Sequence, residues 1–449
     1  MICLSRTTPA LLVALMLTGC AGFSDDGGLH DVSTLASQRI GQSIVLRRDA
    51  DVATSIPTDA PLTAESAVRI ALANNKNLQA SFDALGIAEA DAVLAQRLRN
   101  PGFSFSAMHG DGGASKIDRG VLFDIAGLLT LPARSTIARE QFEQAKLRTA
   151  ADAVRLAGAT RRAYFQAVAA EQDAQFAGRV NLSAQAGAEL AQRMTRTGAL
   201  SELDGMQQTA FYADMQTRLA HAQHEVLAAR EKLARLLGLS EAKFTLPDHL
   251  PDLPQQVLSS SDGGAQAMQQ RLDILIAKRN NEATAHAWNL TRTTGFINVL
   301  DAGYRDMNSN STPRIGGVDV TLDIPIFDWG DAKTRKAQAT YMESVHRTAD
   351  VAIRARSQVR EAYSAYRTNY ELARRYRDEI VPLRKHIADE VALRYNSMQT
   401  GVFELLADSR EQAQSVQAAI DALRNFWLAD TALQMAISGD GSVDEQGEQ

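Results

Sequence analysis

The chain has 449 residues, 45% of them hydrophobic and 22% charged, enough for a sizeable core and two or three domains. Its formal net charge is −6 and it has no large basic block, so no nucleic-acid partner is expected. Cysteine is confined to Cys3 and Cys20, which excludes a disulfide framework or a cysteine-based metal site in the body of the chain.

Residues 1–19 read as an export signal, with Arg6 ahead of the apolar run Pro9 to Leu17. The run ends in Leu17-Thr18-Gly19-Cys20. That ending resembles the bacterial lipobox, which implies that Cys20 is lipidated and becomes the first mature residue. Ala21 follows it, and the same resemblance then implies sorting to the outer membrane. Residues 20–62 form a lipid-anchored N-terminal segment with little internal pattern. No later stretch of about 18 or more apolar residues occurs, so any membrane-spanning part must use strands.

The first helix is expected over Thr63–Arg99, with Thr63 as N-cap and Glu65 in the first turn. Two strand-like runs follow, Gly102–Met108 and Val121–Thr130, around a glycine-rich loop. A long helical run then covers Ala133–Arg196, and a glycine turn leads to a helix over Ser201–Leu237. Residues 240–264 read as a linker rich in Pro, Ser and Gly. The plan then repeats. A helix over Ala265–Arg292 precedes strands over Gly295–Tyr304 and Val318–Ile326, a long helix over Asp331–Gln399 and a last helix over Val402–Ile437. Residues 440–449 form an acidic tail expected to be disordered. The cleanest strand is the fourth. Val318, Val320, Leu322, Ile324 and Ile326 alternate there with Asp319, Thr321 and Asp323. The repetition extends to residues: Arg148, Thr149, Ala150, Arg155, Arg161, Ala163 and Tyr164 recur as Arg347, Thr348, Ala349, Arg354, Arg360, Ala362 and Tyr363. Thr197-Gly198 is likewise answered by Thr400-Gly401. Duplication into residues 63–239 and 265–439 explains the match.

The two long runs hold about 64 and 69 residues, so at about 1.5 Å per residue each spans roughly 100 Å, too long for a compact globule. Pro382 should bend the second or break a hydrogen bond in it. Val402, Leu406, Ser409, Ala413, Val416, Ile420, Leu423 and Trp427 alternate at spacings of four and three, a coiled-coil seam. Four strands cannot close a barrel, and an open sheet edge cannot face lipid. The smallest known membrane barrels have about eight strands. If these strands span a membrane, several chains must share one barrel. Two chains would supply eight strands and three would supply twelve; periodicity does not choose between them.

Three segments carry a family resemblance. PLTAESAVRIALANNKNL (Pro61–Leu78), IPIFDWGDAKTRKAQA (Ile324–Ala339) and RYNSMQTGVFELLADSREQ (Arg394–Gln412) resemble the opening helix, the strand-to-helix junction and the second helical tip of the TolC-type outer-membrane efflux factors. The resemblance covers about Pro61 to Gly439. It implies a mainly α fold with a small β part, in which long helical hairpins form a periplasmic α-barrel. Four strands per chain would join a shared trimeric transmembrane β-barrel. It also implies the function: an outer-membrane exit duct of a tripartite efflux or type I secretion system, extending into the periplasm. Such a duct passively conducts substrate from a periplasmic adaptor (membrane fusion) protein and an inner-membrane pump. The expected partners are two further copies of the chain, the adaptor, the pump and outer-membrane lipid. No enzymatic activity, cofactor or metal is expected.

The same resemblance marks residues at the helical tips. Asp408, Glu404 and Asp204 are the candidates for the periplasmic pore constriction. Gly198, Ser201, Leu203, Gly401, Val402 and Leu405 form the turns presented to an adaptor, and Arg193, Arg394 and Tyr395 are candidates for a gating network. The chain departs from the family pattern at Asp408, which follows Gly401 by seven positions where many members place an aspartate about a turn further along. Ser201-Glu-Leu-Asp204 also reads as a capping box, and Gly198 and Gly401 as left-handed residues ending the long helices. Metalloprotease, phosphate-loop and nucleophile-elbow motifs are absent from the sequence. His221 and His224 sit three apart on a solvated helix face, and Tyr164, Tyr363, Tyr366 and Tyr370 are expected to pack helices. The competing reading is a lipid-anchored periplasmic coiled-coil scaffold whose strands are small soluble hairpins.

Overall fold

The computed structural model describes residues 22–44, 46, 60–111, 113, 115–258, 270–296, 299–310 and 312–439. Cys20, the export signal and residues 440–449 lie outside the described residues. The fold is mainly α with a small β part. Its helices are α1 (Leu29–Ile40), α2 (Ala64–Asn74), α3 (Lys76–Ala95), α4 (Ile125–Arg196), α5 (Glu202–Leu237), α6 (Leu272–Thr294), α7 (Asp331–Arg375), α8 (Val381–Asn396) and α9 (Val402–Ser438). Its strands are β1 (Gly102–His109), β2 (Ser115–Asp124), β3 (Leu300–Ser309) and β4 (Ile315–Leu322). The element order therefore runs twice through helix, two strands, long helix and returning helix. The chain forms two compact units, and neither coincides with a repeat. One takes Met1–Val32, Phe82–Thr149 and Ile274–Val351; the other takes Ser33–Ser81, Ala150–Asp273 and Ala352–Gln449.

The first unit holds the sheet, which is antiparallel throughout in the order β1-β2-β3-β4. The expected second strand, Val121–Thr130, is shifted to Ser115–Asp124. Its apolar tail, including Leu128 and Leu129, belongs to the start of α4. Asp124 decides this locally, because its carboxylate accepts the Gly127 N–H at 2.5 Å and starts the helix. A short apolar run fits either state, and here the cap chose. The third and fourth strands also lie nearer their shared loop than expected, at Leu300–Ser309 and Ile315–Leu322 rather than Gly295–Tyr304 and Val318–Ile326. Arg314 closes that hairpin on the Asp306 carboxylate with bonds of 2.7 and 2.9 Å. Polar residues there carry no alternation signal, so the pairing extends through a segment whose sequence reads as loop.

The second unit holds the main core. Leu62, Ile70, Tyr164, Phe165, Val168, Leu233, Leu237 and Leu250 are buried together, and Leu253, Tyr366, Tyr370, Phe426 and Leu433 form a second cluster. Phe426 and Trp427 meet edge to face at 5.1 Å, and Trp427 stacks on Phe165 at 5.0 Å. The four tyrosines do pack helices. The Tyr164 hydroxyl donates to the Leu62 carbonyl at 3.0 Å.

The expected single helix Thr63–Arg99 is two helices. Thr63 caps the first through a reciprocal capping box with Ser66. Asn75 then takes an extended backbone, and its side-chain oxygen accepts from Asn77 and Leu78 at 3.0 and 3.1 Å. The Asn-rich run favours such local bonds over helix continuation. The second long helix is also interrupted. α7 gives way to a π-helical turn, Tyr376–Ile380, before α8 begins with Pro382 in its first turn. Proline lacks the N–H that an α-helical turn would require at that point, and the wider turn absorbs the mismatch. The expected linker, 240–264, contributes core: Phe244, Leu246, Leu250 and Leu253 are buried. Side chains strap it down. Tyr370 donates to the Pro254 carbonyl at 3.1 Å and the Trp427 indole to Pro251 at 2.9 Å.

Candidate functional site

One face of the sheet is apolar over the part nearer the helices, with Arg119 and Asp306 on the same face nearer the hairpin turns. Register places Phe103 opposite Val121, Val121 opposite Tyr304 and Tyr304 opposite Val318, so these four share a face. Strand period two adds Phe105, Phe123, Ala302, Val320 and Leu322 to it. The face is uncovered: Val318 is 81% exposed, Phe103 70% and Val320 62%. The opposite face carries Ser104, Ser106, Asp118, Arg305, Asp319 and Thr321. Arg305 reaches Asp319 at 2.6 Å and Asp118 at 3.8 Å, an ion-pair line across three strands. Just past β4, Phe327 and Trp329 stand out, 100% and 72% exposed. Among the described residues the sheet edges at β1 and β4 have no strand partner.

The helical tips belong to the second unit. α4 ends in a Schellman turn: the N–H of Gly198, at φ 74, donates to Thr195, and that of Ala199 to Met194. α8 ends in the same bonds, from Met398 to Tyr395 and from Gln399 to Arg394. Here the left-handed residue is Met398, at φ 59 and 94% exposed, and not Gly401. Gly401 has φ −83 and is the N-cap of α9. The equivalent positions are therefore Gly198 with Met398 and Ser201 with Gly401. Thr197-Gly198 and Thr400-Gly401 match in letters but not in place.

Two of the three acidic candidates are engaged at helix starts. Ser201 accepts the Asp204 N–H at 3.2 Å, and its hydroxyl donates to the Asp204 carboxylate at 2.6 Å. Thr400 donates to the Glu404 carboxylate in the first turn of α9. Asp408 is half-buried within α9, and its carboxylate forms no ion pair or hydrogen bond among the described residues. Leu203 is exposed, while Val402 and Leu405 are half-buried. Among the described residues no hydrogen bond or ion pair joins Arg193 to Arg394 or Tyr395. Arg394 pairs with Glu390 on its own helix at 3.1 Å, and Arg193 and Tyr395 are exposed.

Solved structures share this backbone plan. The CmeC outer membrane channel of Campylobacter jejuni superposes with a TM-score of 0.71 at 15% identity, over 89% of this chain and 92% of its own. VceC, an outer membrane protein of Vibrio cholerae, gives 0.70 at 16%, over 84% and 96%. The open state of the Neisseria gonorrhoeae MtrE outer membrane channel gives 0.67 at 17%, over 88% and 96%. The chain has the fold of these outer-membrane channels. No family model and no curated protein matches its sequence.

Within this channel fold, two groupings carry no sequence motif. Arg410 of α9 donates to Gln208 of α5 at 2.7 Å and lies over the Phe211 ring at 4.2 Å. It ties the last helix to the first tip hairpin. Deeper in the same unit, Arg161 donates to Gln434 and to the Ile40 carbonyl, at 2.9 and 2.7 Å. Burial pushes the nearby Asp430 carboxyl up to about 6, with the Arg161 charge opposing the shift. Burial, reinforced by Glu65, likewise pushes the Tyr164 phenol up to about 12. Both arginines stand in charged helical sequence like many others, so only spatial neighbours single them out. His221 and His224 are exposed, and no cluster of three or more metal-ligating side chains occurs among the described residues.

Proposed function

We propose that three copies of this chain form an outer-membrane exit duct for an efflux or type I secretion system. The observation that carries the reading is the uncovered apolar face of an antiparallel sheet with two open edges. In water that face favours aggregation, whereas in lipid it is solvated. Three sheets joined edge to edge give twelve strands and leave no edge. The Arg305 face then lines the lumen, and Phe327 and Trp329 sit at the membrane interface, where aromatic residues are favoured. Cys20 anchors the N-terminus to lipid. The helical tips, with Gly198, Ser201, Leu203, Gly401, Val402 and Leu405, meet a periplasmic adaptor linked to an inner-membrane pump, which supplies the energy.

Asp408 is the acid free of capping bonds, so it serves the pore constriction ahead of Glu404 and Asp204. A ring of three such carboxylates favours cations through their summed field. Planar-bilayer recording tests this. The wild-type chain should form cation-selective channels, and Asp408→Ala should reduce the cation preference. Absence of conductance counts against the duct, and unchanged selectivity in the variant removes Asp408 from the constriction.

A further inference from the structure

In the second unit, α4, α5 and α9 leave a cleft of about 400 Å³, within the usual range for a small-molecule site. Its apolar walls include Phe176, Phe211, Leu406 and Ala413. Its charged lining is of one sign: Arg179 and Arg410 contribute, and no carboxylate does. Arg410 is held in place by the bond to Gln208 and by the Phe211 ring beneath it. Its Nε is buried without an acceptor. Burial lowers the pKa of this guanidinium, and no acid offsets the effect. The contrast with Arg271 is direct. That side chain is buried more deeply, yet Asp273, Gln358 and main-chain carbonyls satisfy it. A fixed, partly desolvated cation with no carboxylate in the cleft lining favours an anionic partner. The flanking rings also require that acceptor to carry an apolar body. A smaller recess that shares Phe176, Phe211 and Arg410 with the cleft, and adds Met215 and Arg218, extends the same chemistry.

We propose that this cleft binds a lipophilic organic anion, with Arg410 holding the anionic group and Phe176 and Phe211 flanking the apolar body. Arg179, stacked over Phe176 at 5.6 Å, adds a second positive charge at the exposed side. Because Arg410 joins α9 to α5, an occupant there competes with Gln208 for the guanidinium and alters the contact between the two hairpins. The site does not depend on the duct reading, since binding is measured without transport.

The test is calorimetric titration of naphthalene-2-sulfonate into the full chain in non-ionic detergent, with 2-naphthalenemethanol as the uncharged comparison. The sulfonate should bind about tenfold or more tightly than the alcohol, and Arg410→Met should remove about that factor. Ala413→Phe should abolish binding by filling the cleft with both arginines in place. Arg179→Met, at an exposed position, should weaken binding even if the Arg410 variant fails to fold. Circular dichroism confirms the helices of each variant. No sulfonate binding at millimolar concentration, equal binding of the alcohol, or unchanged affinity in the folded variants would overturn the proposal.

Discussion

Met398 and Gly198 occupy the same turn at the two tips with opposite conformational consequences. At φ 59 a side chain crowds its own carbonyl, a strain of about 1–2 kcal/mol that glycine escapes. Gly198→Ala should therefore destabilise the fold by about 1 kcal/mol. Met398→Gly should stabilise it by up to about 1 kcal/mol, after allowance for the greater entropy of glycine in the unfolded chain. Thermal unfolding of the two variants checks the opposite signs; shifts of the same sign refute the equivalence of the two positions. Asp430 offers a second residue-scale test. Its folded pKa of about 6 exceeds the ordinary 3.8, so the folded state holds the proton more firmly than the unfolded chain. The stability contributed by this group therefore falls as pH rises from about 4 to about 6. Asp430→Asn should raise Tm relative to wild type at pH about 7, and the gain should vanish near pH 4. A difference in Tm that stays constant across that range would contradict the burial of the carboxyl.

At the scale of elements, caps and prolines decide boundaries that hydrophobic pattern leaves open. The long helices, the returning helices and the presence of four strands are legible from periodicity alone. The strand ends are not, because the polar residues Asp306 and Arg314 set the second hairpin through a salt bridge instead of an alternation. The Asn75 break, within a run that reads as one helix, and the Asp124 cap, within a run that fits a helix or a strand, are one-residue hydrogen-bond decisions. The supposed linker misleads for a different reason. Its Pro and Ser content hides four buried side chains spaced too irregularly for any period. Leu250 is 1% exposed there, so Leu250→Ala should cost about 2–5 kcal/mol, as in any core. Denaturant unfolding measures it; a loss within about 0.5 kcal/mol would mark the segment as a mere connection.

At the scale of the whole molecule, the sequence reveals the plan through duplication and strand count, and the solved channels share it over more than four fifths of the chain. The tip residues were legible as a cluster but not as a network. Arg193 and the pair Arg394-Tyr395 stand before two different turns, and among the described residues no hydrogen bond or ion pair joins Arg193 to the pair; Arg394 pairs with Glu390 instead. Arg410 with Gln208, the bond between hairpins that does form, joins residues 202 positions apart in a charged helix background. In the proposed duct oligomerisation makes the channel, since a four-stranded sheet with a bare apolar face would need both lipid and edge partners. The direct test separates that requirement from the lipid anchor. Cys20→Ser would remove the proposed lipid anchor and leave the strands intact. If the sheet is membrane-embedded and shared, the variant still requires detergent for extraction, and native mass spectrometry of the extract gives a mass of three chains. Full release into detergent-free buffer as a single chain would contradict the account.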